Sequence, residues 1–290
     1  MRSSTTRSSS AADAVTVLTY HALVDDPAAL DALEPGTRHY VFTRDEFRRH
    51  LDHLAAEGFA TVSMADFARW HAGDGELPER PIVISFDDGH RSNAEVATPE
   101  LAERGQRAVF FVTAGRVGWR GFVSWDQLRG MAEAGMEVGS HTLTHACPSS
   151  LSSEALRHEL AESRRVLEEG LGRAVDFVAS PTGYDSRHFA VLAREVGYRT
   201  ALQGVIGRNC RGADAFALRR FVLKRSHGFD LFRRLVDPSD NAYVALRRRQ
   251  ALRNAVRRVL GRRGYEAIRR ALLRDRGGQA CPPSEGAQPC

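Results

Sequence analysis

The sequence lacks the features of a membrane-spanning or disulfide-stapled protein. No apolar run approaches the roughly 20 residues that a transmembrane helix requires. The four cysteines have no spacing typical of a zinc knuckle or a disulfide framework, which favours a reducing, cytoplasmic setting. The Ser/Thr-rich start lacks an apolar core followed by a small-residue cleavage site, so we expect a disordered leader over residues 1–13 rather than a signal peptide.

What the sequence does have is an uneven distribution of charge. The 290 residues carry a net charge of +5, with 42% hydrophobic and 27% charged residues, as in ordinary soluble proteins. Residues 246–276 hold twelve arginines against Glu266 and Asp275, a local charge of +10 that leaves the remainder at −5. We infer a mildly acidic body with a basic appendage.

Short apolar segments alternate with longer helical ones along most of the chain. Strands are predicted at residues 15–20, 60–63, 81–86, 108–112, 136–139, 174–179, 199–203 and 216–223. Capping boxes at Thr43–Glu46 and at Ser124–Gln127 each predict the start of a helix that follows a strand. Such repeated βαβ units, with seven or so strands in about 225 residues, indicate an α/β fold whose parallel sheet closes like a barrel. We expect this domain over residues 14–236, a boundary at Asp-Pro-Ser-Asp (237–240), a basic helical tail over 237–276 and a disordered end over 277–290.

Two adjacent carboxylates follow the predicted strand at residues 81–86. Asp87 and Asp88 lie within Ser-Phe-Asp-Asp-Gly, where the strand gives way to a loop. Chemistry collects at that end of a parallel sheet, although Asp and Gly are also common turn residues.

Two histidines follow another predicted strand. His141 and His145, in His-Thr-Leu-Thr-His, would present both imidazoles to one point if the segment formed a single helical turn. Two imidazoles and one carboxylate form a catalytic zinc site, and they also resemble the two-histidine-one-carboxylate set of iron enzymes. On this hypothesis Asp88 is the carboxylate ligand, and Asp87 stays free beside the metal as a general base.

These segments resemble the first two motifs of the polysaccharide deacetylases, carbohydrate esterase family 4, which share a nodulation-type chitooligosaccharide deacetylase homology domain. The resemblance covers residues 15–235 and includes Tyr20-His21 and residues 123–128 and 151–154. It implies a distorted (β/α) barrel of about seven parallel strands, Asp87 as base, and Asp88, His141 and His145 as metal ligands.

The third family motif corresponds to residues 177–185 and departs from the pattern. Pro181 and Gly183 fit one branch of the family, but no arginine precedes Pro181, so the arginine that orients the base in the other branch is absent. The resemblance implies His227 as the nearest match to the general acid. The substrate-binding candidates are Pro181, Gly183, Tyr184 and Trp125.

The resemblance predicts a metal-dependent hydrolase that removes acetyl groups from N-acetylated sugars. The expected cofactor is a divalent metal, Zn²⁺ first and Co²⁺, Ni²⁺ or Mn²⁺ as alternatives. An inactive metal- or carbohydrate-binding protein on the same scaffold, a deformylase and an O-deacylase remain alternatives. The lack of a signal peptide favours a cytoplasmic glycan precursor or lipid-linked sugar, as in exopolysaccharide biosynthesis.

The basic tail predicts a membrane contact. Apolar residues recur at helical spacing over 246–276, and arginines occupy the other face, as in helices that bind an anionic membrane surface. Packing of this tail against the barrel is the alternative. No nucleic-acid partner is expected, because aromatic residues that would stack on bases are missing. The predicted location is the cytoplasm, peripheral at the inner membrane face.

Overall fold

A computed structural model describes residues 14–183 and 187–256. The chain divides into two compact units, Met1–Tyr243 and Val244–Cys290. The predicted leader, the disordered end, residues 257–276 of the tail and Tyr184 lie outside the described residues.

The regular elements follow the predicted alternation of strands and helices. In chain order, the strands are β1 (Ala14–Tyr20), β2 (Ala22–Val24), β3 (Val41–Thr43), β4 (Ala60–Thr61), β5 (Pro81–Phe86), β6 (Val109–Val112), β7 (Glu137–Ser140), β8 (Phe177–Ala179), β9 (Thr200–Leu202), β10 (Asn209–Cys210) and β11 (Phe221–Val222). The α-helices are α1 (Pro35–Arg38), α2 (Arg44–Ala56), α3 (Met64–His71), α4 (Thr98–Glu103), α5 (Trp125–Glu133), α6 (Ser153–Leu171), α7 (Arg187–Val196) and α8 (Gly228–Val236), and a last helix covers residues 242–256.

The main sheet is parallel and curled. Seven strands of the described residues pair in parallel in the order β11-β1-β5-β6-β7-β8-β9. An isolated parallel bridge between Leu202 and Leu218 brings the β9 edge towards the segment that enters β11. The prediction of a distorted barrel of about seven parallel strands is therefore confirmed.

The central strands are mostly apolar and buried along nearly their whole length because both of their faces are covered. Every residue of β5 is buried, as are six of the seven residues of β1. Parallel sheets with helices on the outside require such continuous apolar runs. Alternate residues of the strands meet side chains of α3 in one core, which includes Val15, Val83, Phe111 and Phe67.

Local sequence signals set the helix ends that position the site. Both predicted capping boxes are present, Thr43 with Glu46 at α2 and Ser124 with Gln127 at α5. After β5, a π-helical segment, Asn93–Ala97, leads into α4. Within the described residues, no helix combines the length and apolarity needed to cross a membrane.

Candidate active site

The loop after β5 turns sharply and presents both carboxylates. The Asp87 N–H donates to Tyr20 O at 2.9 Å, which extends the pairing of β1 with β5 by one residue. Asp88 has a φ of 74° and Gly89 a φ of 76°, a conformation that glycine adopts without strain and aspartate adopts locally. A Cβ on Gly89 would also meet Val112 Cγ1 at 2.9 Å, so this position requires glycine.

The segment after β7 forms an irregular loop, and the expected single helical turn is wrong. Thr142 and His145 have φ values of 65° and 66°, which a right-handed turn does not contain. Glu159 of α6 holds the loop by accepting from Leu143 N at 3.0 Å, Thr144 N at 2.9 Å and Thr144 Oγ1 at 2.6 Å. The histidine rings still converge, with centroids 5.0 Å apart.

The structure brings Asp88, His141 and His145 together as a group that could hold a metal ion, with one ligand atom from each within 4.8 Å of the others. Asp88 Oδ1 lies 3.2 Å from His145 Nε2 and 3.6 Å from His141 Nε2. That oxygen is buried and accepts no hydrogen bond within the described part of the chain. The His141 Nδ1–H donates to Ala179 O at 2.9 Å, which leaves the Nε2 lone pair directed at the cluster. A divalent cation fits these three donors.

The electrostatics of the cluster suit metal binding. Burial lowers the pKa of His141 to about 4, so its imidazole is neutral at pH 7, as a ligand must be. Burial alone would raise the pKa of Asp88, but contacts with His145 and His90 outweigh it and hold that pKa well below its usual range. Asp88 is therefore ionised, as a carboxylate that binds a metal needs to be.

Asp87 has a different partner, which sequence reasoning missed. It is 3% exposed and lies against Arg220, which is 2% exposed. Arg220 Nη1 donates to both carboxylate oxygens at 2.8 Å, while its Nη2 donates to Ser180 O at 2.9 Å and its Nε donates to Gln203 O at 3.2 Å. No arginine precedes Pro181, as the sequence shows, but an arginine from the segment just before β11 lies against Asp87 instead.

Two further histidines surround the carboxylates. His90 Nε2 lies 3.4 Å from Asp88 Oδ2. His21 follows β1, and its backbone carbonyl accepts from Asn93 Nδ2 at 2.8 Å. The Nδ1 atom of His21 is buried and has no hydrogen-bond partner in the described residues. Burial lowers the pKa of His21, while the nearby Asp87 and Asp88 act to raise it. The signal for His21 was its place at a strand end on the same sheet edge.

The remaining sequence candidates lie in varied settings. His227 is in a short 3₁₀ segment, where its Nδ1 accepts a hydrogen bond from Lys224 N at 3.3 Å. Within the described residues, no hydrogen bond or ion pair joins His227 to Asp87 or Asp88. Trp125 begins α5 and packs against Gly170 of α6, where an added Cβ would meet its ring at 2.2 Å. Pro181 is buried and shares a turn with Gly183, next to the Ser180 carbonyl that binds Arg220. Their roles stay predictions.

Comparison with known proteins agrees with this geometry. Residues 74–201 match the family model described as polysaccharide deacetylase. Residues 74–201 are therefore similar to a polysaccharide deacetylase domain. The sequence is 24% identical over 177 residues to YxkH of Bacillus subtilis, which is named for the same family, covering 61% of this chain and 63% of that protein. It is 28% identical over 130 residues to the peptidoglycan-N-acetylglucosamine deacetylase of Bacillus cereus, covering 44% and 59%. The matched segments span less than two thirds of both relatives.

Solved structures of deacetylases share the fold of this chain. The Streptococcus pyogenes deacetylase PplD in complex with acetate superposes with a TM-score of 0.70 at 20% identity, covering 78% of this chain and 99% of that one. IcaB from Ammonifex degensii gives a TM-score of 0.66 at 27% identity, with coverages of 78% and 97%. The curled parallel sheet is therefore the fold of known deacetylases.

Proposed function

We propose that this chain is a metal-dependent deacetylase that acts on N-acetylated sugars of a glycan or glycan precursor. One observation carries the proposal: the adjacent residues Asp87 and Asp88 have different partners. Asp88 lies with His141 and His145, and Asp87 lies with Arg220. A protein that only bound metal would not need the second, separately held carboxylate.

The metal would be held by Asp88, His141 and His145, with Zn²⁺ as the first candidate. Bound there, it would supply a Lewis acid for the acetyl carbonyl and lower the pKa of water. Asp87 would accept a proton from the water that attacks the acetyl carbon, since the two hydrogen bonds from Arg220 fix the direction of its carboxylate. The carbon–nitrogen bond then breaks, giving acetate and a free amino sugar.

The departing amine needs a proton. His227 was the sequence candidate, but His21 is the better supported one, because its buried Nδ1 lacks a hydrogen-bond partner among the described residues and its ring lies close enough to Asp87 and Asp88 to feel their charges. We therefore propose His21 as the general acid and keep His227 as the alternative.

Acetate release from N-acetylated oligosaccharides tests the proposal. Asp87→Asn should lower kcat by roughly 10²–10⁴-fold while metal content stays stoichiometric, because only the proton acceptor is lost. His145→Ala should lose the metal, and His21→Gln should lose more activity than His227→Gln.

Asp230→Asn is the matched control, since that carboxylate is 96% exposed and should leave turnover unchanged. Equal acetate release by wild type and Asp87→Asn would overturn the assignment of the base. Release of formate, or of acetate from O-acetyl sugars alone, would favour the deformylase or O-deacylase alternatives.

We also propose that the basic tail contacts an anionic membrane. In the described helix 242–256, Leu252 is 69% exposed, and Val256 one turn later is also exposed. At helical spacing these side chains form one stripe, with Arg248 on one side and Arg249 on the other, both exposed. A lipid-linked sugar would suit such a protein as substrate, and the cytoplasmic location stays a prediction.

A further inference from the structure

Trp119 is the one exposed aromatic side chain in the described part of the chain. It lies in the segment between β6 and α5 and is 57% exposed. An indole ring is among the largest apolar surfaces a residue can offer, and it is seldom left in water without a partner.

The start of this segment is fixed to the histidine loop of the site. Ala114 N donates to Thr142 O at 3.0 Å, and Gly115 N donates to Leu143 O at 2.8 Å. A Cβ on Gly115 would meet that same carbonyl oxygen at 2.7 Å, so the close approach requires glycine. The segment therefore lies directly beside His141 and His145.

The end of the segment is fixed to the aspartate loop. Val123 N donates to Gly89 O at 3.0 Å, and an antiparallel bridge pairs His90 with Phe122. The Phe122 ring stacks on His90, with centroids 5.4 Å apart and planes 16° apart. Since His90 Nε2 is 3.4 Å from Asp88 Oδ2, this end reaches the edge of the metal cluster.

Trp119 lies at the tip between these two anchors. Trp119 N donates to Arg116 O, and Phe122 N donates to Trp119 O, both at 3.0 Å. The second bond closes a turn, which limits the Cα atoms of Trp119 and Phe122 to about 7 Å apart. Trp119 thus lies at the exposed tip of a segment that is hydrogen-bonded to both loops that carry the candidate ligands.

We infer that Trp119 is a platform for a sugar residue next to the one that is deacetylated. The apolar face of a pyranose stacks on an indole, and the indole N–H can donate to a sugar hydroxyl. Trp119 would then set the preference of the site for longer over shorter N-acetylated chains. This inference rests on the proposed function and specifies its substrate.

The test compares N-acetylated oligosaccharides of one to five residues. For wild type, kcat/KM should rise with length. Trp119→Ala should remove that rise by raising KM about tenfold for the longer substrates, with kcat and activity on the shortest accepted substrate unchanged. Trp119→Phe should restore part of the rise. Val191→Ala, at another exposed apolar residue, is the control and should behave as wild type.

Calorimetric binding of the N-acetylated tetramer to the metal-loaded protein separates this inference from the proposed function. If wild type releases no acetate, the proposed function fails; tetramer binding that Trp119→Ala weakens about tenfold would still support the platform. Equal length dependence or equal tetramer affinity in wild type and Trp119→Ala would overturn the inference, as would the absence of tetramer binding.

Discussion

Arg220 uses its donors on groups from three different strand ends. Its guanidinium contacts Asp87 after β5, the Ser180 carbonyl after β8 and the Gln203 carbonyl after β9. A buried ion pair of this kind adds little stability compared with apolar residues of equal size. Removing one partner is costly, because the other charge stays buried.

Arg220→Met should lower the free energy of unfolding by about 3–5 kcal/mol, since it leaves the Asp87 carboxylate unpaired in the interior. Urea denaturation measures this loss. Arg220→Lys should fold better but still lose kcat, because an ammonium group cannot make the same set of planar contacts.

Two comparisons make the Arg220 result specific. Arg194→Met removes an exposed arginine that pairs with Asp214 at 3.1 Å, and it should cost less than about 1 kcal/mol. Combining Asp87→Asn with Arg220→Met should cost less than the sum of the two single changes. Strict additivity would show that the pair is not coupled.

At the scale of elements, α2 and α8 enclose a histidine between them. His50 of α2 accepts or donates a hydrogen bond at 2.9 Å with the Tyr20 hydroxyl of β1, and its ring stacks on Phe232 of α8 at 3.9 Å between centroids. Burial lowers the pKa of His50 to about 4. The folded protein therefore holds this ring neutral at pH values where the unfolded chain protonates it.

The His50 shift predicts a pH dependence of stability. The unfolded chain binds the extra proton between pH 6.5 and about 4, so the stability is complete above pH 6.5 and is lost as pH falls through that window. Between pH 7 and pH 5 the metal-free wild type should lose about 2 kcal/mol more than His50→Gln.

Urea denaturation at the two pH values, with a chelator present, checks this expectation. His158→Gln, at an exposed histidine of α6, should keep the pH dependence of wild type. If His50→Gln kept the same pH dependence as wild type, the buried ring would not be its source.

The elements differ in how far the sequence predicts them. β5 and the two capped helices follow from local signals: a continuous apolar run and matched cap residues. The three-residue strands β2 and β3 were not predicted, because so short a segment carries no periodicity. They pair with each other in a separate two-stranded sheet. The loop at His141–His145 was misjudged because its conformation depends on Glu159, a residue of another helix.

The same contrast holds for the site. Asp87, Asp88, His141 and His145 could be found because they lie in two short motifs that follow predicted strands. Arg220 could not, since 133 positions separate it from Asp87 and nothing in its neighbourhood marks it as buried. Long-range pairing of charges leaves no local pattern.

At the scale of the whole molecule, charge is divided between the acidic body and the basic tail. Replacing Leu252 and Val256 together with glutamine should reduce flotation with anionic vesicles, because the apolar stripe of the helix is removed. Added salt should weaken the binding of wild type, since the arginines act through a screened attraction.

Val191→Gln is the control for the vesicle experiment, because it changes an exposed apolar residue on α7. Equal flotation of wild type and the double variant, or equal binding to neutral vesicles, would contradict the membrane contact.

The position of Arg220 also bears on how the protein folds during its synthesis. During synthesis Asp87 emerges long before the guanidinium that will hold it, and the segment that enters β11 is the last part of the parallel sheet to leave the ribosome. Until that segment docks, a barrel assembled from β1 to β9 would contain an uncompensated carboxylate and would remain open to water. Completion of the parallel sheet and pairing of Asp87 with Arg220 are therefore one event, and on the proposed function a partly folded chain would lack a correctly held base.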